Sequence, residues 1–189
     1  MTAAEIRHIV KNGEAVTDLP FDDVAVQGVI ARSIGFPYLA TMISHRSALM
    51  ALEQHHETVG AEDVDAATRD VVDEFRGRIL RHSQLQIEQQ IRQGRLGALG
   101  ALAGAAQSVG GWFTLDDVDT PFADSESIDT ARAIVDRLVA DHVLMESRED
   151  EFGRAYRFFE PSVPPYLWLL ATSGQFFNPA LQQAAGVSE

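Results

Sequence analysis

The stretch from Asp129 to Glu160 changes from a helical to an alternating hydrophobic pattern within a few residues. From Asp129 to Asp141 apolar side chains recur at three- and four-residue steps, which predicts an amphipathic helix. After His142 a short apolar run leads into a charged run, and from Arg154 onwards aromatic and polar residues alternate. Turn-forming residues at 150–153 separate these two runs, so we predict an antiparallel hairpin. A helix followed directly by a hairpin restricts the fold to few small domains.

The residues upstream can supply the elements that precede such a pair in a winged helix-turn-helix. Leu96 to Gln107 can form a helix, Gly110 and Gly111 interrupt it, and Trp112 to Val118 can form a short strand and turn. We therefore predict a winged helix-turn-helix with a small β-hairpin wing over residues 95–171.

Two further segments complete the C-terminal part. Tyr166 to Ala171 is apolar and short, which predicts a closing helix after the wing. Residues 172–189 are interpreted as a loose tail, in which Phe176 and Phe177 are expected to dock on the body.

The N-terminal residues 1–79 are predicted to form a bundle of about four helices. Thr2 and Glu5 have the spacing of a capping box, and the helix they open is expected to stop near Asn12 and Gly13. Pro20 is expected in the first turn of a second helix, which Gly35 ends.

The third and fourth helices are predicted from their apolar stripes. The third should run from Pro37 to about Glu57, and Thr58 to Asp63 should open the fourth, with two acidic residues in its first turn. We expect the following residues to form the buried stripes: Tyr38, Met42, His45, Leu49 and Leu52 on the third helix, and Val64, Ala67, Val71, Phe75 and Ile79 on the fourth. The glutamine-rich residues 80–94 are interpreted as an exposed connecting helix between the two modules. The fold class is therefore mainly α.

Composition narrows the functional classes. The chain has no cysteine, so thiol catalysis and cysteine-bound metals are excluded. It lacks a signal-peptide pattern, and its most apolar run, Leu96 to Ala106, is about half the length of a membrane span. We therefore expect a cytoplasmic protein with no membrane partner. The net charge of −13 repels polyanions at long range, which disfavours nucleic-acid binding without forbidding it.

Three phrases resemble a known family. IARSIGFPYL (Ile30 to Leu39) and TVGAEDVDAA (Thr58 to Ala67) look like the lid subdomain of bacterial AAA-type or STAND-type P-loop ATPases. AYRFFEPSVPPYLWLL (Ala155 to Leu170) is similar to the second wing strand and closing helix of the winged-helix domain that often follows such lids. The resemblance implies an ATP-binding parent protein, with the chain as its C-terminal part.

The chain also departs from that family. Its only lysine, Lys11, does not lie in the G-x-x-x-x-G-K-S/T motif that binds nucleotide phosphates. Many relatives have a sensor arginine directly after the Gly-x-Pro turn, where this chain has Tyr38. We therefore expect no catalysis and no cofactor in this chain, and ATP and Mg²⁺ are implied only for a nucleotide domain elsewhere. Whether the chain is a fragment of that ATPase or a complete protein stays open.

The resemblance also points to residues that could face such a nucleotide domain. They belong to the end of the second helix, the Gly-x-Pro turn and the third helix: Arg32, Gly35, Pro37, Tyr38 and Arg46. Both arginines are alternatively surface residues with no ligand. His45 is expected to be a buried, hydrogen-bonded histidine rather than a nucleotide or metal contact, and we expect no metal site.

The predicted winged helix can be weighed as a DNA reader. Its candidate contacts are Arg132 and Arg137 on the second helix and Arg148 and Arg154 on the wing. Both elements carry more acidic than basic residues, which favours docking to a protein.

Three functional hypotheses follow. The first is a lid plus winged-helix module that relays the nucleotide state of an ATPase to a protein or DNA partner. The second is a free-standing winged-helix transcriptional regulator with a helical dimerisation or sensing domain. The third is a structural adaptor that binds neither nucleotide nor DNA. The partner of the first would be a nucleotide-binding domain of the same or another chain, and self-association to a homo-oligomer is left open.

Overall fold

Eight α-helices and one antiparallel hairpin make up residues 1–118, 125–151 and 153–173, the part of the chain that the computed structural model describes. The helices are α1 (Ala3–Thr17), α2 (Asp23–Ser33), α3 (Pro37–Glu53), α4 (Ala61–Arg78), α5 (Arg81–Arg92), α6 (Leu96–Val109), α7 (Ser125–Ala140) and α8 (Val163–Thr172). The strands are β1 (Met145–Asp150) and β2 (Gly153–Phe158), and a short 3-10 helix spans Leu115–Val118. The predicted mainly helical class with a small hairpin is confirmed. The chain divides into two units, Met1–Glu74 and Phe75–Glu189.

Helix α1 begins with the predicted capping box, in which the Thr2 hydroxyl accepts from the Glu5 amide and the Glu5 carboxylate accepts from the Thr2 amide. The predicted end near Asn12 and Gly13 is wrong. The helix continues to Thr17, because a single glycine costs a helix only about 1 kcal/mol. It ends at Asp18, which adopts a left-handed conformation.

Helix α2 begins three residues later than predicted. Pro20 is not in its first turn, because the segment around Phe21 is extended and pairs with Val59. The Val59 amide donates to the Pro20 carbonyl at 2.8 Å, and the Asp22 amide donates to the Val59 carbonyl at 3.0 Å. The Asp22 side chain then caps the helix by accepting from the Ala25 amide at 2.7 Å.

Helix α3 buries the face opposite to the predicted one. It packs on α1 and α2 through Leu39, Ile43 and four small residues: Ala40, Ser47, Ala48 and Ala51. The predicted stripe of Tyr38, Met42, His45, Leu49 and Leu52 lies on the outward side, so that prediction is wrong. The small side chains let the three helices approach closely, which accounts for the choice of face. The helix also ends at Glu53 instead of Glu57.

The apolar stripe of α4 is confirmed. All five predicted residues, Val64, Ala67, Val71, Phe75 and Ile79, are buried. The buried Asp63 carboxylate accepts from the Gly60 amide at 2.9 Å near the start of the helix.

Helix α5 is not exposed on all sides, as the predicted connecting helix would be. Ser83, Ile87 and Gln90 are buried on one of its faces. At its start, the Glu160 carboxylate accepts from the Leu80 amide at 2.8 Å and from the Ser83 hydroxyl. This distant carboxylate therefore caps α5 and ties it to the segment that follows β2.

Helix α6 lies at the centre of the second unit and packs on α7, α8 and the 3-10 helix. Eleven of its 14 residues are buried, as expected for a helix that is apolar on every side. A Cβ atom placed on Gly100 would lie 2.6 Å from the Cβ atom of Ala171. The absence of a side chain at Gly100 therefore allows the close contact between α6 and α8.

The hairpin has the predicted turn, with Asp150 paired to Gly153. The predicted strand near Trp112 is reduced to one bridge, in which Phe113 and Tyr156 exchange backbone hydrogen bonds of 2.9 and 2.7 Å. The segment of Phe113 thus lies along the free edge of β2. Phe176 and Phe177, predicted to dock on the body, lie outside the described residues.

Candidate functional site

The proposed nucleotide-facing residues lie around the turn between α2 and α3. Gly35 has a φ of 75°, and its carbonyl accepts a 2.9 Å hydrogen bond from the Met1 amine. Pro37 opens α3 without a side-chain cap at Phe36, and Tyr38, which follows it, is exposed. Glycine suits this turn because it adopts a positive φ with little strain.

The two arginines assigned to the same region are bound to carboxylates of α4. The Arg32 guanidinium pairs with Asp65 and also donates to the Gly28 carbonyl at 3.2 Å. Arg46 donates to Glu74 at 2.9 Å, and Asp70 lies 3.9 Å from its other terminal nitrogen. A phosphate that binds either arginine would compete with these carboxylates. Their ion pairs link α2 and α3 to α4.

The exposed face of α7 mixes both signs of charge. Arg132 and Arg137 are exposed, and so are Asp129 and Asp136. Asp136 accepts a 3.0 Å hydrogen bond from Arg154 of β2, so this hairpin arginine is directed to the helix. Three of the four arginines considered for DNA contact therefore lie among aspartates, and one of the three, Arg154, is paired with an aspartate.

The outer face of the hairpin holds a cluster of one aromatic and three charged side chains. The guanidinium carbon of Arg148 lies 4.5 Å from the ring centroid of Trp112, and that of Arg157 lies 4.7 Å from it. Arg157 also pairs with Glu146, its cross-strand neighbour. Cation–π contacts of this kind orient the two guanidinium groups.

Trp112 and Arg157, two members of this cluster, were not predicted from the sequence as functional residues. The face on which Arg157 lies could have been deduced from the predicted turn. A turn at 150–153 sets a register in which residue 146 pairs with 157 and residue 148 with 155. Arg148 and Arg157 therefore share one face of the hairpin. The position of Trp112 depends on the bridge between Phe113 and Tyr156, which no local pattern indicates.

The opposite face of the hairpin is buried. Met145, Tyr156 and Phe158 point into the core, where the Phe113 ring lies 6.2 Å from the Tyr156 ring. Burial raises the pKa of the Tyr156 hydroxyl; the nearby Arg154 lowers it, and Asp136 and Glu149 raise it.

The histidines do not form a metal centre. His45 is exposed on α3, so the expectation of a buried histidine is wrong. His56 lies 3.1 Å from the buried carboxylate of Asp63. Within the described ranges, no three histidine, aspartate or glutamate side chains form a group that could hold a metal ion. Among the helices of those same ranges, none has the length and apolar character needed to cross a bilayer.

Comparisons of this chain with models of protein families, with curated proteins and with solved structures return no match.

Proposed function

We propose that the chain is a non-catalytic lid plus winged-helix module that relays the nucleotide state of a separate ATPase domain to a protein partner. The observation that carries this proposal is the pairing of Phe113 with Tyr156 beside the hairpin. It brings the segment after α6 to the edge of β2. The order helix, edge segment, short helix, helix and hairpin is the order of elements in a winged helix.

The charges favour a protein over DNA as the partner of the second unit. DNA affinity depends mainly on arginine and lysine side chains that neutralise phosphates. Here Arg154 pairs with Asp136, and Arg157 pairs with Glu146. The exposed face of α7 carries as many aspartates as arginines at positions 129, 132, 136 and 137. Such a surface is better suited to a polar protein interface.

The first unit supports the lid part of the proposal through its α2–α3 turn. Gly35 has the positive φ that the Gly-x-Pro turn needs, and Tyr38 is exposed beside it. In the proposed complex this turn and Arg46 face the nucleotide held by the ATPase domain. Arg46 would then exchange its carboxylate partners for phosphate when the lid closes.

The first test is the gene sequence upstream of the Met1 codon. We expect a continuous reading frame, or an adjacent gene, that encodes the G-x-x-x-x-G-K-S/T motif. The ATPase domain found there would then be assayed with and without this chain. We expect the chain to change its rate, and the Tyr38→Ala and Arg46→Ala variants to reduce that change. An isolated chain that hydrolyses ATP at an ordinary enzymatic rate would refute the non-catalytic assignment.

One observation favours DNA as a second candidate partner. The outer hairpin face presents Arg148 and Arg157 beside Trp112, and arginines supported by an aromatic ring can contact a phosphate backbone. In this case the chain would act as a winged-helix regulator with its first unit as a sensing or dimerisation domain.

A duplex titration at low and moderate salt distinguishes the two candidates. A regulator should retain sequence-dependent binding with a steep salt dependence. The Arg148→Ala/Arg157→Ala double variant should abolish that binding. Arg92→Ala, which removes an exposed arginine of α5, is the matched control. The relay proposal with a protein partner predicts weak binding that is lost at moderate salt and is equal for all sequences.

A further inference from the structure

Helix α3 carries four large apolar side chains and one histidine on its outward side; Met42 is half-buried and the other four are exposed. Tyr38 is 54% exposed, Leu49 42% and Leu52 53%, and Met42 and His45 lie between them on the same side. These five residues are called the α3 stripe below. They span 14 helical steps, which corresponds to about 21 Å at 1.5 Å per residue.

The α3 stripe lies outside the face that α3 packs on α1 and α2. The contacts of α3 with α1 and α2 use the opposite face, where Leu39, Ile43 and small residues are buried. An exposed row of this kind keeps apolar surface in water, and extended apolar surface rimmed by polar residues is typical of a binding site. We propose that the α3 stripe binds an amphipathic helix of a partner protein that carries basic residues beside its apolar face.

The shape of the stripe favours a helix as the binding partner. The row is straight and narrow, because its members recur every three or four residues on one side of a single helix. A second helix laid alongside can place its own apolar residues between them, as in the packing of ridges into grooves. Recognition of an amphipathic helix by an apolar surface is a recurring mode of protein binding.

The charge around the stripe selects a basic partner. At the edge of the stripe, the carboxylates of Asp70 and Glu74 share the single positive charge of Arg46, which leaves one net negative charge there, and Glu53 ends the same helix. The sequence of the first unit contains thirteen aspartates and glutamates against five lysines and arginines. A second copy of the chain would bring the same acidic charge to the interface, whereas a basic helix would be attracted.

This inference does not rest on the proposed nucleotide relay. It uses the exposure and charge of the first unit alone, and it holds for a relay module, a regulator or an adaptor. Its test therefore contains no nucleotide and no DNA.

The absence of cysteine permits a site-specific test. Leu49→Cys would carry an environment-sensitive fluorophore on the stripe, and Val24→Cys, exposed on α2, would carry it elsewhere on the same unit. The probe is a synthetic helix of about 18 residues with leucines on one face and lysines on the other. Two control peptides keep its length: one replaces lysine by glutamate, and one scrambles the order to destroy the apolar face.

We expect the basic helix to shift the emission of the label at position 49 and to leave the label at position 24 unchanged. Both control peptides should bind at least about tenfold more weakly. Equal responses at the two labels, or equal binding of the scrambled peptide, would show non-specific attraction to an acidic protein and would overturn the proposal.

A second measurement keeps the label out of the interface. The affinity of a fluorescein-tagged basic helix is measured with unlabelled Leu49→Asp/Leu52→Asp and with Val24→Asp as the matched control. Because the exchanged residues are exposed, circular dichroism should show unchanged folding. We expect the double variant to lose about tenfold or more in affinity and Val24→Asp to change it less than about twofold. Unchanged affinity in the double variant, or a native dimer that this variant converts to monomer, would contradict the proposed occupant.

Discussion

Helices α3 and α6 are both rich in apolar residues, yet they are covered to very different extents. Helix α6 is surrounded by α7, α8 and the 3-10 helix, and eleven of its 14 residues are buried. Helix α3 packs mainly on α1 and α2, and six of its 17 residues are buried. The number of neighbouring elements, and not the apolar content of the helix, determines how much of it is removed from water.

The buried faces of the two helices share small residues. Alanine and serine line the inner face of α3, and glycine and alanine dominate α6. Small side chains let helix backbones approach closely and fill the interior at high density. Where a helix has two apolar faces, the face with small residues is therefore the better candidate for the core.

The largest expected difference between the two helices is in the free energy of unfolding that is lost when one leucine of each is replaced by alanine. Leu99→Ala in α6 should lower the free energy of unfolding by about 2–5 kcal/mol, because Leu99 is fully buried. Leu49→Ala in α3 should change it by less than about 0.5 kcal/mol. Trp112 and Trp168, the only tryptophans, lie in the second unit, so their fluorescence in urea reports on Leu99→Ala. Far-ultraviolet circular dichroism reports on Leu49→Ala, and equal losses in the two variants would refute the comparison.

A second, smaller difference in the free energy of unfolding is expected when a helical glycine is replaced by alanine, which adds one methyl group. Gly100→Ala should destabilise the second unit by about 1–3 kcal/mol, because the new Cβ atom meets Ala171. The matched control is Gly77→Ala in α4, where no atom lies within 4 Å of the new Cβ atom. That variant should stabilise its helix by up to about 1 kcal/mol, since alanine is the better helix former. Tryptophan fluorescence in urea measures both, and changes of the same sign would show that α6 and α8 are less closely packed than described.

The comparison of α3 and α6 also shows what could be predicted from the sequence. The positions of the helices and of the hairpin turn followed from local periodicity and turn residues, and they are confirmed within a few residues. The covered face of α3 did not follow, because both faces are apolar and the choice depends on α1 and α2. Helix α5 was predicted to be exposed because its contacts come from residues far away in the sequence. Glu160, which accepts from the Leu80 amide at its start, is 80 residues away from Leu80.

For the candidate site residues too, the position of the residue could be predicted from the sequence, but its partner could not. Arg148 and Arg154 were placed on the hairpin from the sequence, whereas their partners Trp112 and Asp136 lie on other elements. The carboxylates that hold Arg32 and Arg46 come from α4, at least 24 residues further along the chain. Partners at such separations depend on tertiary packing, which local periodicity does not contain.

The ion pair of Arg46 and Glu74 provides a smaller test of exposure at the edge of the α3 stripe. Their side chains are 38% and 30% exposed, so the coupling free energy should be only about 0.2–1 kcal/mol. A double-mutant cycle with Arg46→Ala and Glu74→Ala measures it in urea denaturation. The exposed pair Arg92 and Glu88 on α5 is the control and should give a similar or smaller value. A coupling of several kcal/mol would mean that this edge of α3 is as well covered as α6.

The smallest expected effect concerns the pH dependence of the second unit, whose interior includes Tyr156. Burial raises the pKa of this tyrosine above its ordinary value of about 10. A group whose pKa is higher in the folded than in the unfolded state contributes stability below the unfolded pKa and loses it as the pH rises through the folded pKa. The second unit should therefore lose stability above about pH 10, and Tyr156→Phe should lose less over the same interval. Tyrosinate absorbance is titrated in the wild-type protein and in Tyr156→Phe, and the difference between the two curves gives the ionisation of Tyr156. Ionisation at or below its ordinary pKa would show that water reaches the inner hairpin face, and the contrast between a covered second unit and an exposed α3 would then weaken.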